Sequence, residues 1–286
     1  MANYTAADVK KLRETTGAGM MDCKNALTEA DGDIEKAIEV LRIKGQKGVG
    51  KRESRDASNG LVTAVVDSAT GTGVMLELNC ETDFVAKTDG FQELAATVAG
   101  IIEIEKPADS AALLAAGHNG ATVKELLDQA NATLGEKIEV SRFARFAADN
   151  SASGTPGFVA TYLHKSSPDL PPTVGVLIEL DAENAGVAKD VAQHIAAMMP
   201  RYVSRDEIPE ETLANERRIA EETAREEGKP EQALPRIIEG RVNGFVKEVA
   251  LVDQPFVREA KKTVGAVLAE AGVSVRRFER YRVGQA

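Results

Sequence analysis

The sequence contains no tryptophan, and aromatic residues make up only 4% of it. That scarcity argues against a carbohydrate cleft or a base-stacking platform, both of which are built on aromatic faces. Positive charge is also in deficit: 35 Lys and Arg stand against 45 Asp and Glu, a formal net charge of −10. Phosphate backbones are bound by clustered cations, so no direct nucleic-acid partner is expected. Two cysteines, Cys23 and Cys80, are too few to staple 286 residues with disulfides, and read as buried thiols of a reducing compartment. No apolar run reaches the ~20 residues of a membrane span. The polar start, Met1–Asp8, lacks the hydrophobic region of a secretion signal. A soluble, cytoplasmic protein is expected. What is present, 43% hydrophobic and 28% charged residues, suits a globular chain of about two or three domains.

Residues 5–44 read as three short helices. Thr5 can cap the first, Thr15–Gly19 breaks it, and Asp22 is read as the cap of the second. Ile34, Ala37, Ile38 and Leu41 recur at helical spacing up to Gly45. A unit of ~40 residues is near the lower limit for independent folding and suits docking better than catalysis. Residues 45–59 mix Gly45, Gly48 and Gly50 with Lys47, Lys51, Arg52 and Arg55, and read as a basic flexible linker. From residue 60 the period changes to that of strands. Leu61–Val66 and Val74–Leu78 predict a hairpin, followed by helices over 89–104 and 123–134 and a strand at 138–146. The order then returns. Phe158–Leu163 and Val174–Leu180 predict a second hairpin, with a helix over 187–199. Gly73–Asn79 matches Gly175–Asp181 position by position, and Ile138–Phe143 is echoed by Val273–Phe278. Two copies of a hairpin–helix–helix–strand unit follow from this shared order. The second copy is interrupted by helical segments at 209–227 and 231–247, the first strongly charged with a narrow seam of Leu213, Ile219, Ala220 and Ala224, the second carrying Leu234, Ile237, Ile238, Val242 and Phe245. The fold class is therefore α+β. The division is 1–50 with a linker to 59, a first repeat at 60–150, a second at 151–204 and 248–286, and an inserted helical hairpin at 205–247.

Few residues suggest chemistry. Gly45–Lys51 fits the core of a phosphate loop, but Arg52 stands where Ser or Thr should follow, and a helix precedes it instead of a strand. His118, His164 and His194 are far apart and lack metal-ligand spacing, so no metal is expected. No nucleophile elbow or assignable carboxylate pair occurs. An enzyme working through Glu81, Asp83 and His164 would have to turn over a small molecule unaided, and no motif supports it. Two segments stand out. Met20 and Met21 are adjacent, so one helix face cannot bury both, and exposed methionine suits a protein-binding surface. Cys80–Lys87 follows a strand and precedes a helix, which puts Asp83 and Phe84 in a connecting loop. There Phe84 either tucks under the loop or offers an aromatic wedge with a carboxylate beside it.

At these residues the chain resembles the bacterial translation elongation factor Ts family. The resemblance rests on Leu12–Leu27, Thr82–Lys87, Glu239–Arg241, Gln254–Val257 and Arg280–Gly284, and runs from about residue 5 to 284. It implies a guanine-nucleotide exchange factor whose partner is elongation factor Tu in its GDP form, with no catalytic residues and no cofactor. It implies that residues 1–50 form a ubiquitin-associated-like (UBA-like) docking domain, with Leu12, Met20 and Met21 on the contact surface. Thr82, Asp83, Phe84 and Val85 match the loop that displaces Mg²⁺, and His164 of the second repeat matches a further contact. The hairpin at 205–247 matches a coiled-coil element that dimerises in some members. Some members also carry a C-terminal helical module beyond the last core strand. Without it, the core and the N-terminal helices are expected to supply the affinity. The competing reading is a passive protein-binding adaptor that leaves nucleotide release unchanged.

Overall fold

The structure, a computed structural model, describes residues 3–16, 18–148 and 157–285; for Glu14, Arg42 and residues 45–51 it describes the backbone alone. Three helices open the chain: α1 (Ala6–Thr16), α2 (Met20–Glu29) and α3 (Ile34–Arg52). Their starts are set locally. Thr5 N–H donates to Asp8 Oδ2 at 2.8 Å, and Asp8 N–H returns a bond to Thr5 Oγ1 at 3.3 Å. Asp33 accepts the Lys36 N–H at 3.1 Å at the head of α3. Asp22 is not the cap expected of it. Gly19 holds that position, and Asp22 lies in the first turn of α2, where a carboxylate complements the helix dipole. Leu12, Cys23, Ala26, Leu27 and Ala37 form the shared core of the three helices.

Two sheets follow. The first contains β1 (Asn59–Asp67), β2 (Thr72–Cys80) and, after a helical excursion, β5 (Glu139–Ala147), all antiparallel with β2 in the middle. The excursion comprises α4 (Asp83–Ala86), α5 (Asp89–Glu105), α6 (Ser110–Ala115), the small ladder β3 (Gly117–His118) with β4 (Ala121–Thr122), and α7 (Val123–Leu134). The second sheet contains β6 (Phe158–His164), β7 (Val174–Leu180) and β10 (Val275–Arg282), with β7 in the middle. Between β7 and β10 lie α8 (Ala185–Met198), α9 (Glu210–Glu226), α10 (Leu234–Val249), the ladder β8 (Pro255–Phe256) with β9 (Glu259–Thr263), and α11 (Val264–Glu270). Thr122 caps α7 in a capping box with Glu125, and Thr263 caps α11 by accepting the Ala266 N–H alone. The expected junction at 150/151 falls within 149–156, outside the described residues.

The expected linker needs correction. Helix α3 runs through Gly45, Gly48 and Gly50 to Arg52. Each helical glycine costs about 1 kcal/mol. Tertiary packing offsets that cost, because α3 lies along α7 and Arg52 Nη1 donates to the Asn131 carbonyl at 3.1 Å. The phosphate-loop-like residues are therefore inside a helix, where their N–H groups satisfy carbonyls one turn back and leave no anion cradle.

The sheets meet face to face. Val62, Met75 and Phe146 of the first pack against Val159, Leu177 and Tyr281 of the second. Helices α5 and α7 cover the outer face of the first, and α8 and α11 that of the second. Strands β2 and β7 are buried at every residue, being covered on both faces and both edges, which is why neither alternates polar and apolar. Contacts across the interface are reciprocal. A Cβ on Gly73 would lie 2.6 Å from Val159 Cγ1, and one on Gly175 would lie 2.5 Å from Val62 Cγ1. Glu77 is paired to Arg142 at 2.8 Å and Glu179 to Arg277 at 2.7 Å, each carboxylate fully buried beside its neighbouring strand. Arg142 lies over the Tyr281 ring at 4.4 Å, and Arg277 over the Phe146 ring at 4.2 Å. The repeated sequence thus corresponds to repeated contacts.

Helices α9 and α10 pack on each other. Leu213, Ala220 and Ala224 are buried along α9, but Ile219, expected in that seam, is exposed. Residues 213, 220 and 224 follow the helical period on one side, and Ile219 falls off it. Leu234, Val242, Val246 and Val249 answer from α10. Among the described residues, no helix is long and apolar enough to cross a membrane.

Candidate functional site

Residues 83–86 form one turn of helix, α4, where a connecting loop was expected. Thr82 is its cap, accepting the Val85 N–H at 3.4 Å, so Asp83 does not cap the turn itself. Val85 is half-buried against the first core, and Ala86 is buried. Phe84 points the other way and is 76% exposed, the most exposed large hydrophobic side chain of the described residues. The Lys87 ammonium lies 5.5 Å from its ring centre and 2.8 Å from Asp83 Oδ2. Its hydrogen bond to Asp83 holds that carboxyl below the usual carboxylate range, so Asp83 is ionised at neutral pH. The surface therefore offers an aromatic ring, a carboxylate and an ammonium on one turn.

This turn is braced from below. Glu136, in the connection between α7 and β5, accepts hydrogen bonds from Glu81 N–H at 3.1 Å, Thr82 N–H at 3.0 Å and Thr82 Oγ1–H at 2.6 Å. Glu81 in return accepts the Lys137 N–H at 2.6 Å and the Arg55 guanidinium at 3.1 Å. Burial pushes the Glu81 carboxyl up, but those two donors outweigh it and hold it below its ordinary value. The Cys80 thiol donates to the Thr82 carbonyl at 3.1 Å. Burial pushes that thiol up to about 12, with the Glu136 charge adding to it, so Cys80 is an inert thiol at neutral pH. No motif flagged Glu136, which stands 54 positions from Thr82. Only its place directly after Gly135, in a left-handed helix cap, hinted at a fixed turn.

The other candidates sit elsewhere. Met20 and Met21 begin α2 and are 57% and 63% exposed. Cys23, Ala26 and Leu27 turn inward from the same helix, so both methionines are left on the surface. Leu12, read as part of that contact surface, is fully buried in the helical core; it supports the surface without being part of it. His164 is exposed at the end of β6, with its Nδ1 3.1 Å from Tyr162 Oη. The candidates thus lie on three packing units: the N-terminal helices, the first sheet with its helices, and the second sheet.

Fold and site together define a duplicated α+β protein that projects a braced aromatic side chain from one sheet and paired methionines from a helical unit. A family model described as elongation factor TS matches residues 81–285. The chain is 59% identical over 287 residues to elongation factor Ts of Thermobifida fusca, covering all of both chains. It is 58% identical to that of Streptomyces griseus, covering 99% of this chain and 100% of the relative, and 54% identical to that of Micrococcus luteus with the same coverage. The chain belongs to the elongation factor Ts family of translation elongation factors.

Proposed function

We propose that this chain is a guanine-nucleotide exchange factor acting in the cytoplasm on elongation factor Tu. It binds that GTPase in its GDP form, displaces Mg²⁺ with the turn Thr82–Val85, and so promotes GDP release. The observation that carries this reading is Phe84, held out on a capped and braced turn beside an ionised Asp83. An apolar ring kept in water by its own backbone gains free energy when a partner buries it. For Phe84 that gain is about 2–3 kcal/mol, or one to two decades of rate or affinity. One wedge is too weak to loosen a tightly held nucleotide alone. In this reading residues 1–50 act as a UBA-like docking domain through Met20 and Met21. The second repeat, 151–204 and 248–286, makes a further contact at His164, while the first, 60–150, inserts the wedge. The helical pair at 205–247 offers a coiled-coil-like surface for dimerisation. Coupling is reciprocal: a factor that weakens nucleotide binding is itself expelled when nucleotide returns, so no covalent step is needed.

Stopped-flow release of a fluorescent GDP from elongation factor Tu tests this. The chain should accelerate release, and Phe84→Ala should lower the maximum rate about ten- to hundredfold while its melting temperature stays the same. Unaltered release with the intact chain would overturn the exchange reading in favour of a passive adaptor. Normal release with Phe84→Ala would remove the wedge.

A further inference from the structure

A four-residue helix cannot hold its own shape in water, because nucleation fixes several residues for a single backbone bond. The rigidity of α4 must come from outside it, and the hydrogen bonds around it converge on one carboxylate. We propose that Glu136 is the positioning residue for the Phe84 turn, setting the direction in which the ring meets a partner; the proposal rests on the exchange reading above.

The geometry gives a physical route. Glu136 Oε2 takes both N–H groups of Glu81 and Thr82, which fixes the two peptide planes leading into α4. Glu136 Oε1 takes the Thr82 hydroxyl proton. A hydroxyl has one proton to give. With that proton committed to Glu136, Thr82 Oγ1 can only accept, and its lone pair is aimed at the Val85 N–H. The cap on α4 is thus oriented by a residue 54 positions away. The clasp is closed from the other side by Glu81, which holds Lys137, the neighbour of Glu136. Phe84 lacks apolar cover of its own, so its aim follows the backbone beneath it.

Glutamine is the discriminating substitution. Glu136→Gln keeps the side chain's shape and one carbonyl oxygen but removes the charge, and its NH₂ faces either the two N–H donors, losing those bonds, or Thr82 Oγ1, reversing that bond so that the hydroxyl proton is no longer held by residue 136. The sequence has no tryptophan, so Phe84→Trp places a single fluorophore on the turn of the full chain. Time-resolved anisotropy of that probe should show little fast local motion. Adding Glu136→Gln should raise the amplitude of the fast component about twofold or more with the global melt still cooperative. In the chain with native Phe84, Glu136→Gln should lower the maximum GDP-release rate about ten- to hundredfold, as misaimed groups do. The concentration of chain giving half-maximal rate should change little, because docking surfaces elsewhere are intact. Thr82→Val, which removes the bridging hydroxyl, should move both readouts the same way and stands in if Glu136→Gln does not fold. Unchanged anisotropy in a folded variant would overturn the positioning role. So would a raised half-maximal concentration at full maximal rate. A larger fast component with normal release would uphold the role of Glu136 and reject the wedge, and a failure of the intact chain to release GDP would reject the exchange reading alone.

Discussion

At the scale of single residues, His194 shows how a buried polar group can tie distant segments together. It lies on α8 with no exposed surface. Its Nδ1 accepts the Val257 N–H at 3.1 Å, which makes Nε2 the protonated nitrogen that donates to Gln254 Oε1 at 2.8 Å. Gln254 passes the link on, donating to the Glu248 carbonyl at 2.6 Å. A second proton would have to sit on Nδ1, facing a donor. Burial accordingly holds the His194 pKa below its ordinary value, although the Gln254 bond pulls the other way. The unfolded chain then binds a proton that the folded chain refuses. Stability from this site is complete above about pH 6.5, the unfolded value, and declines as pH falls towards the lowered folded value, by at most about 1.4 kcal/mol per pH unit. Urea unfolding at pH 7.5 and 5.5 should show a larger loss for the native chain than for His194→Gln, which cannot titrate. Equal losses would assign the acid sensitivity to other groups.

At the scale of elements, the inner face of the two sheets is set by paired small residues. Gly73 on β2 and Gly175 on β7 leave room for the branched side chains of the opposite sheet. Adding a methyl group at either forces it against a stiff valine at 2.5–2.6 Å. Gly73→Ala and Gly175→Ala should each cost about 1–3 kcal/mol by urea unfolding, and by similar amounts, since their contacts are reciprocal. A neutral result at either position would mean the sheets are free to part there. These strands were legible because Gly73–Asn79 recurs as Gly175–Asp181, and register follows from the pattern. Other elements were not. The extension of α3 to Arg52 depends on α7 and on the Asn131 carbonyl, neither of which is visible in a glycine-rich local sequence. Turn α4 is too short to show a period, and its brace at Glu136 is contributed by another part of the chain. At the candidate site, pattern alone could not decide whether Phe84 tucks in or stands out, nor that Leu12 lies on the buried side of its helix. Both depend on what packs beneath them.

At the scale of the whole molecule, the N-terminal helices are joined to the rest by more than the chain. Helix α3 covers part of α7, and Arg55, just beyond it, reaches Glu81 beneath the Phe84 turn. Deleting residues 1–50 should therefore have two separable effects. It removes most of α3 and its packing along α7, so the melting temperature of the core should fall by several degrees while the transition stays cooperative. It also removes Met20 and Met21. Burying those two half-exposed side chains on a partner would contribute about 1–2 kcal/mol each, so affinity for elongation factor Tu should drop about hundredfold, measured by calorimetry. The double variant Met20→Ala, Met21→Ala keeps α7 covered. It should reproduce the loss of affinity without the loss of melting temperature, because neither side chain contributes to the helical core. If the double variant binds normally while the deletion does not, the helical unit acts by steadying α7 and the turn above it, and the docking role passes to another surface.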